Sequence, residues 1–420
     1  MASSWARASS RLSSCIACDE NVTWYIGSGA GREGDLGRGH REPPGLGGGE
    51  GPATLFPRGD RGLRRAGRRA QAGGVTPPPT SRRRFLATLA TVTLSLRARA
   101  AETAPVIVGE GAHRYRFHDA WPQLPSHLQW GVTHGVAVDR RGYVHVFHTS
   151  RPDAPTKDCV VVFDRAGKFV RSWGPQFVGG AHGMDLVVED GREILYLTDL
   201  QRGLFKMTLE GELLWHVAQP EWYRGRDAKY RPSNVAVGPE GDVFLADGYG
   251  SYFIHHLTKE GRYVRTFGGP GEEAGQTQHP HGLFIDRRGS EPLLVVGEND
   301  PKGEKPGRLQ ALTLDGQHRR FLPTPVRSPR HFDQRGKLAV IPDLDARVTL
   351  VDEQYRTVAN LGDGWTTKAE VRALRTRTSD HFKPGKFVCP HDAAFDAEGN
   401  IYVAEWVAYG RIVKLEKLPG

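Results

Sequence analysis

The sequence predicts an all-β fold, a six-bladed β-propeller, on three observations. Similar groups of apolar runs recur at intervals of about 50 residues, which is typical of propeller blades. Within each group, short apolar runs are joined by Asp/Glu-Gly or Arg-Gly turns, as in antiparallel hairpins. The 52 glycines and 28 prolines are too many for a helical bundle and lack the period of collagen. Four short strands per unit and six units describe the predicted fold.

The six units begin at equivalent positions, each opened by a polar residue. These residues are His134, His182, Ser233, His281, Arg330 and His391. A turn and a second apolar run follow in most units, with third and fourth runs such as 203–209 and 263–267. Because closure between the chain ends removes exposed sheet edges, we expect the segment around residues 115–121 to complete the last blade.

The chain before the repeats has a different composition. Residues 1–79 are rich in Gly, Arg, Ser and Pro, without apolar periodicity, and are predicted to be disordered or an over-extended gene start. Residues 80–101 combine Arg82-Arg83, a short apolar stretch and an Ala-x-Ala site, which resembles a twin-arginine export signal. The alternative is an accidental basic cluster beside a short buried helix. The signal predicts a periplasmic or extracellular protein whose residues 102–420 form the propeller.

The net charge of +9 comes from this first segment. Residues 1–100 hold 16 of the 57 basic and 7 of the 48 acidic side chains, which leaves 41 of each sign in residues 101–420. A neutral body argues against nucleic-acid binding, which needs clustered basic charge. No run of about 18 apolar residues is present, so we expect no integral membrane span.

Four cysteines are too few for a disulfide scaffold. Cys15 and Cys18 form a Cys-x-x-Cys in the low-complexity segment, without a second pair for zinc, and we interpret it as incidental. Cys159 and Cys389 pair only if the fold brings them together, which the sequence leaves open.

Histidines open units two, four and six, which suggests a metal centre. Alternate blades of a six-fold ring are about 120° apart, so His182, His281 and His391 can point to one place on the channel axis. Three neutral imidazoles with an open fourth position are typical of catalytic zinc sites. The alternative is that each histidine only caps a turn.

The repeats resemble the NHL repeat over roughly residues 104–420, and the motifs of the site resemble the peptidyl-α-hydroxyglycine α-amidating lyase domain, a six-bladed propeller. Ala-His182-Gly, Pro-His281-Gly and Pro-His391-Asp match the motifs that hold its catalytic zinc. Asp247-Gly248-Tyr249 matches a motif that supplies a tyrosine beside that zinc.

The resemblance implies a set of roles. His182, His281 and His391 would bind Zn²⁺, and Tyr249 as phenolate would accept a proton from the substrate. A structural Ca²⁺ would be held by Asp392 and the backbone carbonyls of Val136 and Met184. The implied reaction cleaves an N-(1-hydroxyalkyl) amide into an amide and an aldehyde acid.

The sequence also departs from the family. Thr149 and Asn299 stand where the family has arginines that face the substrate, and Gly250 replaces a cysteine. Arg151, two residues beyond Thr149, is the nearest arginine and our candidate for a catalytic cation. Arg330 and Arg347 are further sources of positive charge. We therefore expect weak activity on peptidyl-α-hydroxyglycine itself and better activity on a less anionic substrate.

Two classes of function remain open. One is an exported, zinc-dependent lyase, acting as a monomer on a small-molecule or peptide-derived substrate. The other is a non-catalytic propeller that binds a ligand or partner protein and keeps a structural metal, with His134 as a fourth ligand. His134 is either that additional polar group or a turn cap. The basic stretch Arg372, Arg375 and Arg377, in the insertion before His391, is interpreted as a solvated helix face or a lid.

Overall fold

The computed structural model describes residues 104–151 and 153–420. The predicted disordered segment 1–79 and export signal 80–101, with Cys15 and Cys18, lie outside the described residues and stay predictions.

The described residues form 25 strands, one α-helix and four short 3-10 helices. The strands are β1 (Ile107–Val108), β2 (Tyr115–His118), β3 (Thr133–Val138), β4 (Val144–His148), β5 (Val160–Phe163), β6 (Phe169–Trp173), β7 (Ala181–Glu189), β8 (Arg192–Asp199), β9 (Gly203–Thr208), β10 (Leu213–Val217), β11 (Asn234–Val237), β12 (Val243–Ala246), β13 (Phe253–Leu257), β14 (Tyr263–Gly268), β15 (Pro280–Asp286), β16 (Leu293–Glu298), β17 (Arg308–Leu312), β18 (His318–Phe321), β19 (Asp333–Arg335), β20 (Leu338–Asp343), β21 (Arg347–Val351), β22 (Thr357–Leu361), β23 (Pro390–Phe395), β24 (Ile401–Glu405) and β25 (Arg411–Lys417). The helix is α1 (Lys368–Leu374), and the 3-10 helices are Gly111–His113, Pro175–Phe177, Glu221–Tyr223 and Ser379–His381.

These strands build six antiparallel sheets, which are the blades of a six-bladed β-propeller and confirm the predicted fold. Blades one to five are four-stranded and consist of consecutive strands, from β3–β6 to β19–β22. Contacts between β3 and β7, between β7 and β11 and between β11 and β15 identify the first strand of a blade as its inner strand. The inner strands therefore line the channel, as expected.

The sixth blade joins the two ends of the described chain. It consists of β23, β24 and β25, completed by β2 and β1. Tyr115 pairs with Lys417 and His118 with Lys414 across β2 and β25, which confirms the predicted closure. The unpaired edge of β25 is thereby covered, and the ring is held shut by backbone hydrogen bonds.

Apolar side chains fill the seams between blades. Phe147 and Cys159 of blade one, for example, pack in one cluster with Leu195 and Leu197 of blade two. Strands such as β4 and β24 are buried at every position, because both faces of a blade pack against neighbours. Each blade is thus fixed by two seams, and burying one such Phe or Leu side chain contributes about 1.5–3 kcal/mol.

The insertion before blade six carries the α-helix. Thr367 caps α1 by accepting a hydrogen bond from the Glu370 backbone N–H and donating one to the Glu370 carboxylate. Val371 packs against Leu344 and Trp406 in a separate apolar cluster. None of the described helices is long and apolar enough to cross a bilayer.

Candidate metal centre and active site

The axial histidines lie at β-bulges of the inner strands. In β3 the ladder pairs Thr133 and Gly135 with β4 but skips His134. The same irregularity skips His182 in β7, His281 in β15 and His391 in β23. A bulge redirects the extra side chain away from the alternation of the strand. Each bulge therefore turns its imidazole toward the axis of the channel.

The glycine after three of these histidines is explained by close approach of the next blade. A Cβ atom at Gly282 would lie 2.0 Å from the Arg330 carbonyl oxygen, and one at Gly183 would lie 2.8 Å from the Ser233 carbonyl oxygen. At Gly135 the Met184 side chain blocks the same space. His-Gly therefore lets neighbouring inner strands pack tightly around the imidazoles.

Five histidine rings gather at the axis. The ring centroids of His182 and His281 are 4.9 Å apart, and those of His281 and His391 are 5.0 Å apart. His134 lies 4.9 Å from His182 and 4.8 Å from His391. The potential ligand nitrogens of His134, His182 and His391 all lie within 4.8 Å of one another. The structure thus gathers the three predicted ligands and adds His134 to them.

The fifth ring comes from blade five with a shift of one residue. The sequence pattern assigned this position to Arg330, but the ring that joins the cluster belongs to His331, 5.0 Å from His391. Both residues precede β19, which begins only at Asp333. Blade five lacks the His-Gly opening of blades one, two and four, and the sequence spacing placed its axial residue one position too early.

Two of the histidines are oriented by backbone carbonyls. His182 Nδ1 lies 2.5 Å from the Ser233 carbonyl oxygen, and His391 Nδ1 lies 3.0 Å from the His134 carbonyl oxygen. Donation from Nδ1 leaves the Nε2 lone pair for another partner, as is usual for metal-binding histidines. His391 Nε2 is buried and has no hydrogen-bond partner among the described residues.

Burial keeps these imidazoles neutral. Desolvation lowers the pKa of His134, His281 and His391 well below the usual value, with smaller contributions from neighbouring histidines and, for His281 and His391, from Arg330. It lowers the pKa of His331 to about 3. Neutral imidazole is the form that binds a metal ion, so the donor set fits a transition metal.

Tyr249 lies beside this cluster, as the resemblance implies. Its hydroxyl oxygen is 2.6 Å from His281 Nε2, and its ring centroid is 5.3 Å from that of His182. His281 therefore directs Nε2 toward the tyrosine in this structure.

The Asp-Gly-Tyr loop is built to hold that tyrosine. Buried Asp247 accepts hydrogen bonds from the backbone N–H groups of Arg231 and Ser251. A Cβ at Gly248 would lie 2.3 Å from the Pro280 carbonyl oxygen, so glycine lets the loop pass over the strand that carries His281. At Gly250 a Cβ would lie 2.0 Å from Asp247 Oδ1, so this position has little room for a side chain.

The predicted calcium ligands lie together below the histidines. Val136, Met184 and Asp392 line a cavity of about 80 Å³. Asp392 Oδ2 accepts a hydrogen bond from the Val136 N–H at 2.9 Å and lies 3.5 Å from His331 Nδ1. Asp392 therefore links blade six to blade one and faces both the cavity and the histidine cluster.

Two further carboxylates, missed by sequence reasoning, line the same cavity. They belong to Asp185 of β7 and Asp333 of β19. Asp185 accepts a hydrogen bond from the Val237 N–H and Asp333 from the Phe395 N–H, so each joins its blade to the next. The available signal was an aspartate shortly after the opening residue, as in His182-Gly-Met-Asp and His331-Phe-Asp.

The carboxylates and the imidazoles respond to burial in opposite directions. Desolvation, with a smaller effect of Asp392, raises the pKa of Asp185 to about 6 and that of Asp333 to about 7. It raises the pKa of Asp392 well above its usual value. A hard cation in this small cavity would favour the ionised carboxylates and offset the cost of their burial.

The candidate cations occupy different surroundings. Arg151 forms a two-pronged ion pair with Asp153, at 2.9 and 2.8 Å. Buried Arg347 pairs with Asp343 at 3.2 Å. Arg330 is 3% exposed and pairs with no carboxylate among the described residues. Of the three, Arg330 alone combines burial with the absence of a described acidic partner.

The remaining sequence hypotheses concern Thr149, the two cysteines and the insertion. Thr149 accepts a hydrogen bond from the Val132 N–H and thus supports the backbone before β3. Cys159 and Cys389 are free, buried thiols. Arg372, after which the helix soon ends, lies 3.6 Å from Asp345.

Comparison with known proteins finds a distant relative of this chain. The chain is 25% identical over 352 residues to peptidyl-alpha-hydroxyglycine alpha-amidating lyase 1 of Drosophila melanogaster, covering 72% of this chain. A curated homologue of the chain is therefore an amidating lyase. The match spans 61% of the length of that relative. No protein-family model matches the chain.

A solved structure supports the fold independently. A gluconolactonase from Xanthomonas campestris matches with a TM-score of 0.50 at 14% identity, over 75% of this chain and 95% of the other. At that identity the likeness concerns the fold alone. This structural neighbour therefore supports the propeller fold of the chain.

Proposed function

We propose that the chain is a metal-dependent lyase of the amidating type, which cleaves the C–N bond of an N-(1-hydroxyalkyl) amide. The main support is the position of Tyr249, whose hydroxyl lies 2.6 Å from a histidine of a buried axial cluster. A tyrosine beside a group of neutral imidazoles can serve both binding of an ion and proton transfer. The amidating-lyase homologue supports the same reaction class.

The histidines fit a zinc ion. His182 and His391 would hold it through Nε2, together with His281 as the resemblance implies or His134 as the nitrogen distances favour. Zinc would supply a Lewis acid for a hydroxyl or carboxylate oxygen of the substrate. The buried surroundings exclude water and keep the histidines neutral.

Tyr249 would manage the proton of the substrate. As the carbinol hydroxyl loses its proton to the tyrosine oxygen, the C–O bond becomes a carbonyl and the C–N bond breaks. The electron pair of that bond passes to the nitrogen, which takes up a proton and leaves as the amide. His281, 2.6 Å from the hydroxyl, orients the phenolic oxygen.

We further propose that Asp392, with the Val136 and Met184 carbonyls, holds a structural calcium ion. Asp185 and Asp333 line the same cavity and add oxygen donors. Hard cations take carboxylate and carbonyl oxygens as ligands. A cation there would tie four blades together at the inner ring.

The alternative is a binding propeller with a closed structural metal. It is favoured by one observation, namely that His134 lies within 4.8 Å of the ligand nitrogens of His182 and His391. A fourth imidazole would occupy the position that a substrate needs. A tetrahedral site with four nitrogens would therefore bind metal tightly without turnover.

The test combines metal analysis with an activity assay. The purified chain should contain close to one zinc per molecule and should release glyoxylate and benzamide from N-benzoyl-α-hydroxyglycine. Treatment with a zinc chelator should abolish release, and added zinc should restore it. A zinc-loaded protein that releases no glyoxylate from this acid, and no aldehyde from an uncharged N-(1-hydroxyalkyl) amide, would favour the binding propeller.

Export and oligomeric state remain proposals. We propose that the chain is exported through the twin-arginine signal and acts as a monomer. Replacing Arg82 and Arg83 by lysine should retain the protein inside the cell, and light scattering should give the mass of one chain. Export of the lysine variant would contradict the signal.

A further inference from the structure

A cavity of about 270 Å³ opens beside the histidine cluster, between blades four and five and the insertion. Its lining includes His279, Asn299, Ser328, Arg330, Trp365 and Arg372. His279 also contacts Tyr249, with ring centroids 4.8 Å apart. The cavity therefore borders the proposed active site and has room for a small substrate.

Arg330 is placed in this lining as a buried cation. All of its hydrogen bonds to described residues come from Nη1, to Asn299 Oδ1 at 2.8 Å, Ser328 Oγ at 3.0 Å, and the Pro329 and Ser328 carbonyls at 3.1 and 3.3 Å. Its Nε is buried without a hydrogen-bond partner in that part of the chain. Nε and Nη2 thus donate to no described residue, and together they form the guanidinium edge that matches the two oxygens of a carboxylate.

The other cations of the lining are already engaged. Arg327 pairs with Asp363 at 2.9 Å and Lys305 with Glu272 at 2.9 Å. Lys368 donates to the Gly303 carbonyl at 2.9 Å. Acidic groups also line the cavity, and the buried one, Asp345, faces Arg372 at 3.6 Å. Arg330 is thus the lining arginine whose charge has no described acidic partner.

Asn299 of blade four holds the Arg330 side chain of blade five. It stands at the position where the resemblance places a substrate-facing arginine, and here its side-chain oxygen holds Arg330 of the next blade. Burial is the main reason why the pKa values of His279 and His331 are lowered, and the charge of Arg330 lowers them further. In this chain, Arg330 of blade five therefore supplies positive charge close to the axial histidines.

We propose that Arg330 binds a carboxylate of the ligand in this cavity, and that Asn299 and Ser328 position its guanidinium. That the ligand is an N-acyl-α-hydroxy amino acid rests on the proposed function, whereas the binding of a carboxylate by Arg330 does not. A buried guanidinium without a counter-ion is costly, and a bound carboxylate would relieve that cost. We now expect an anionic substrate, in place of the less anionic one that the loss of arginines at Thr149 and Asn299 suggested.

The experiment compares an acid with its uncharged analogue. Benzoylglycine and benzoylglycinamide differ only in the carboxylate and lack the reactive hydroxyl, so their affinities can be measured by calorimetry without turnover. The wild-type protein should prefer the acid by about 10- to 100-fold, as expected for charge-assisted hydrogen bonds. Arg330→Gln should bring the two affinities close together, and Arg330→Lys should give an intermediate ratio.

A second variant protects the test against misfolding. Asn299→Asp keeps the size of the side chain and places a carboxylate 2.8 Å from Arg330 Nη1, which should neutralise it and lower the preference as Arg330→Gln does. Arg320→Gln, on the exposed edge strand β18, is the control and should keep the wild-type ratio. Circular dichroism should confirm that all variants are folded.

The outcomes separate this proposal from the proposed function. Equal affinities in the wild type, or a ratio unchanged in folded Arg330→Gln and Asn299→Asp, would overturn the role of Arg330 even if the protein is an active lyase. A preference that persists in these variants but disappears after zinc chelation would assign the carboxylate to the metal instead. A preference that depends on Arg330 without any glyoxylate release would support the anion site and contradict the lyase.

Discussion

The same inner strands carry two different kinds of site, one built from nitrogen donors and one from oxygen donors. Toward the strand starts lie nitrogen donors, with His182 and His391 oriented by backbone carbonyls. One to three residues further along lie oxygen donors, with Asp185 and Asp392 facing one small cavity. Nitrogen ligands suit zinc, whereas oxygen ligands suit calcium. A shift of one to three residues along one strand is therefore enough to change the class of ion that its side chains suit.

Burial acts on both groups but favours opposite protonation states. It lowers the pKa of His331 to about 3 and raises that of Asp333 to about 7, so both groups are held neutral. The histidines are then ready to bind a metal ion, while the aspartates need a cation before they can ionise without penalty. Variants and pH can therefore separate the two sites.

The largest effect is expected from removing an axial histidine. His391→Ala should lower zinc affinity by at least about 100-fold and abolish any lyase activity, because one of a few buried nitrogen ligands is lost. Zinc content after dialysis is the measurement. His381→Ala, at an exposed position, should retain the metal. Full zinc retention in His391→Ala would show that the cluster binds no metal through this residue.

A comparison of His134→Ala with His281→Ala determines which histidines bind the zinc ion. If His134 completes the ligand set with His182 and His391, His134→Ala should lose zinc and His281→Ala should keep most of it. If His281 completes the ligand set, as the resemblance implies, His281→Ala should lose zinc and His134→Ala should keep most of it. Cobalt substitution, read by its visible absorption, would report the number of ligands in each variant.

Tyr249→Phe should have the next largest effect. It removes only the oxygen that would accept the proton, so turnover should fall by about 10²–10⁴-fold while zinc content and fold are unchanged. Tyr409→Phe, at an exposed tyrosine, is the matched control. Wild-type turnover in Tyr249→Phe would remove the tyrosine from the mechanism.

Features that repeat from blade to blade were predictable from the sequence. The blade number, the closing strand and the location of His182, His281 and His391 on inner strands follow from local patterns of apolar runs and of His-Gly or His-Asp openings. The contact between the Tyr249 hydroxyl and His281 Nε2 was not predictable, because it depends on the orientation of the His281 ring. Whether these residues bind ions remains a prediction.

Features that depend on closure of the ring were missed. Asp185 and Asp333 lie about 150 residues apart in sequence and meet only because the inner strands converge on one cavity. The contact between Asn299 and Arg330 depends on the irregular chain before β19, where no repeat motif fixes the register. In such segments, sequence spacing does not determine which side chains face each other.

A smaller effect is expected at the oxygen site. Asp392→Asn should abolish the stabilisation by calcium, lowering the melting temperature in calcium by a few degrees, because one charged ligand is lost while the hydrogen bond from the Val136 N–H can remain. In calcium-free buffer the two proteins should melt at similar temperatures, since burial already favours the neutral acid. Differential scanning fluorimetry is the measurement. An unchanged calcium response would limit Asp392 to its hydrogen bond with the Val136 N–H, which links blades six and one.

The smallest effect concerns the pH dependence of the calcium-free protein. The pKa of Asp333 is about 7 in the folded chain and near 4 when unfolded, so its contribution to stability is fully present below pH 4 and is lost as pH rises through 7. Asp333→Asn removes the group that must ionise in a buried place at high pH. The variant should therefore be more stable than the wild type by about 1 kcal/mol or more at pH 7.5, with a smaller difference at pH 4.5. Buried His331 contributes the opposite slope in both proteins and cancels in the comparison.

Calcium should invert that difference. A bound cation favours the ionised aspartate, so calcium should stabilise the wild type more than Asp333→Asn at pH 7.5. Urea denaturation at both pH values, with chelator or with calcium, measures all four cases. Asp190→Asn, in the exposed turn between β7 and β8, should follow the wild type throughout. If Asp333→Asn also follows it with and without calcium, Asp333 takes no part in the cavity's charge balance, and the oxygen site reduces to Asp392 and the two backbone carbonyls.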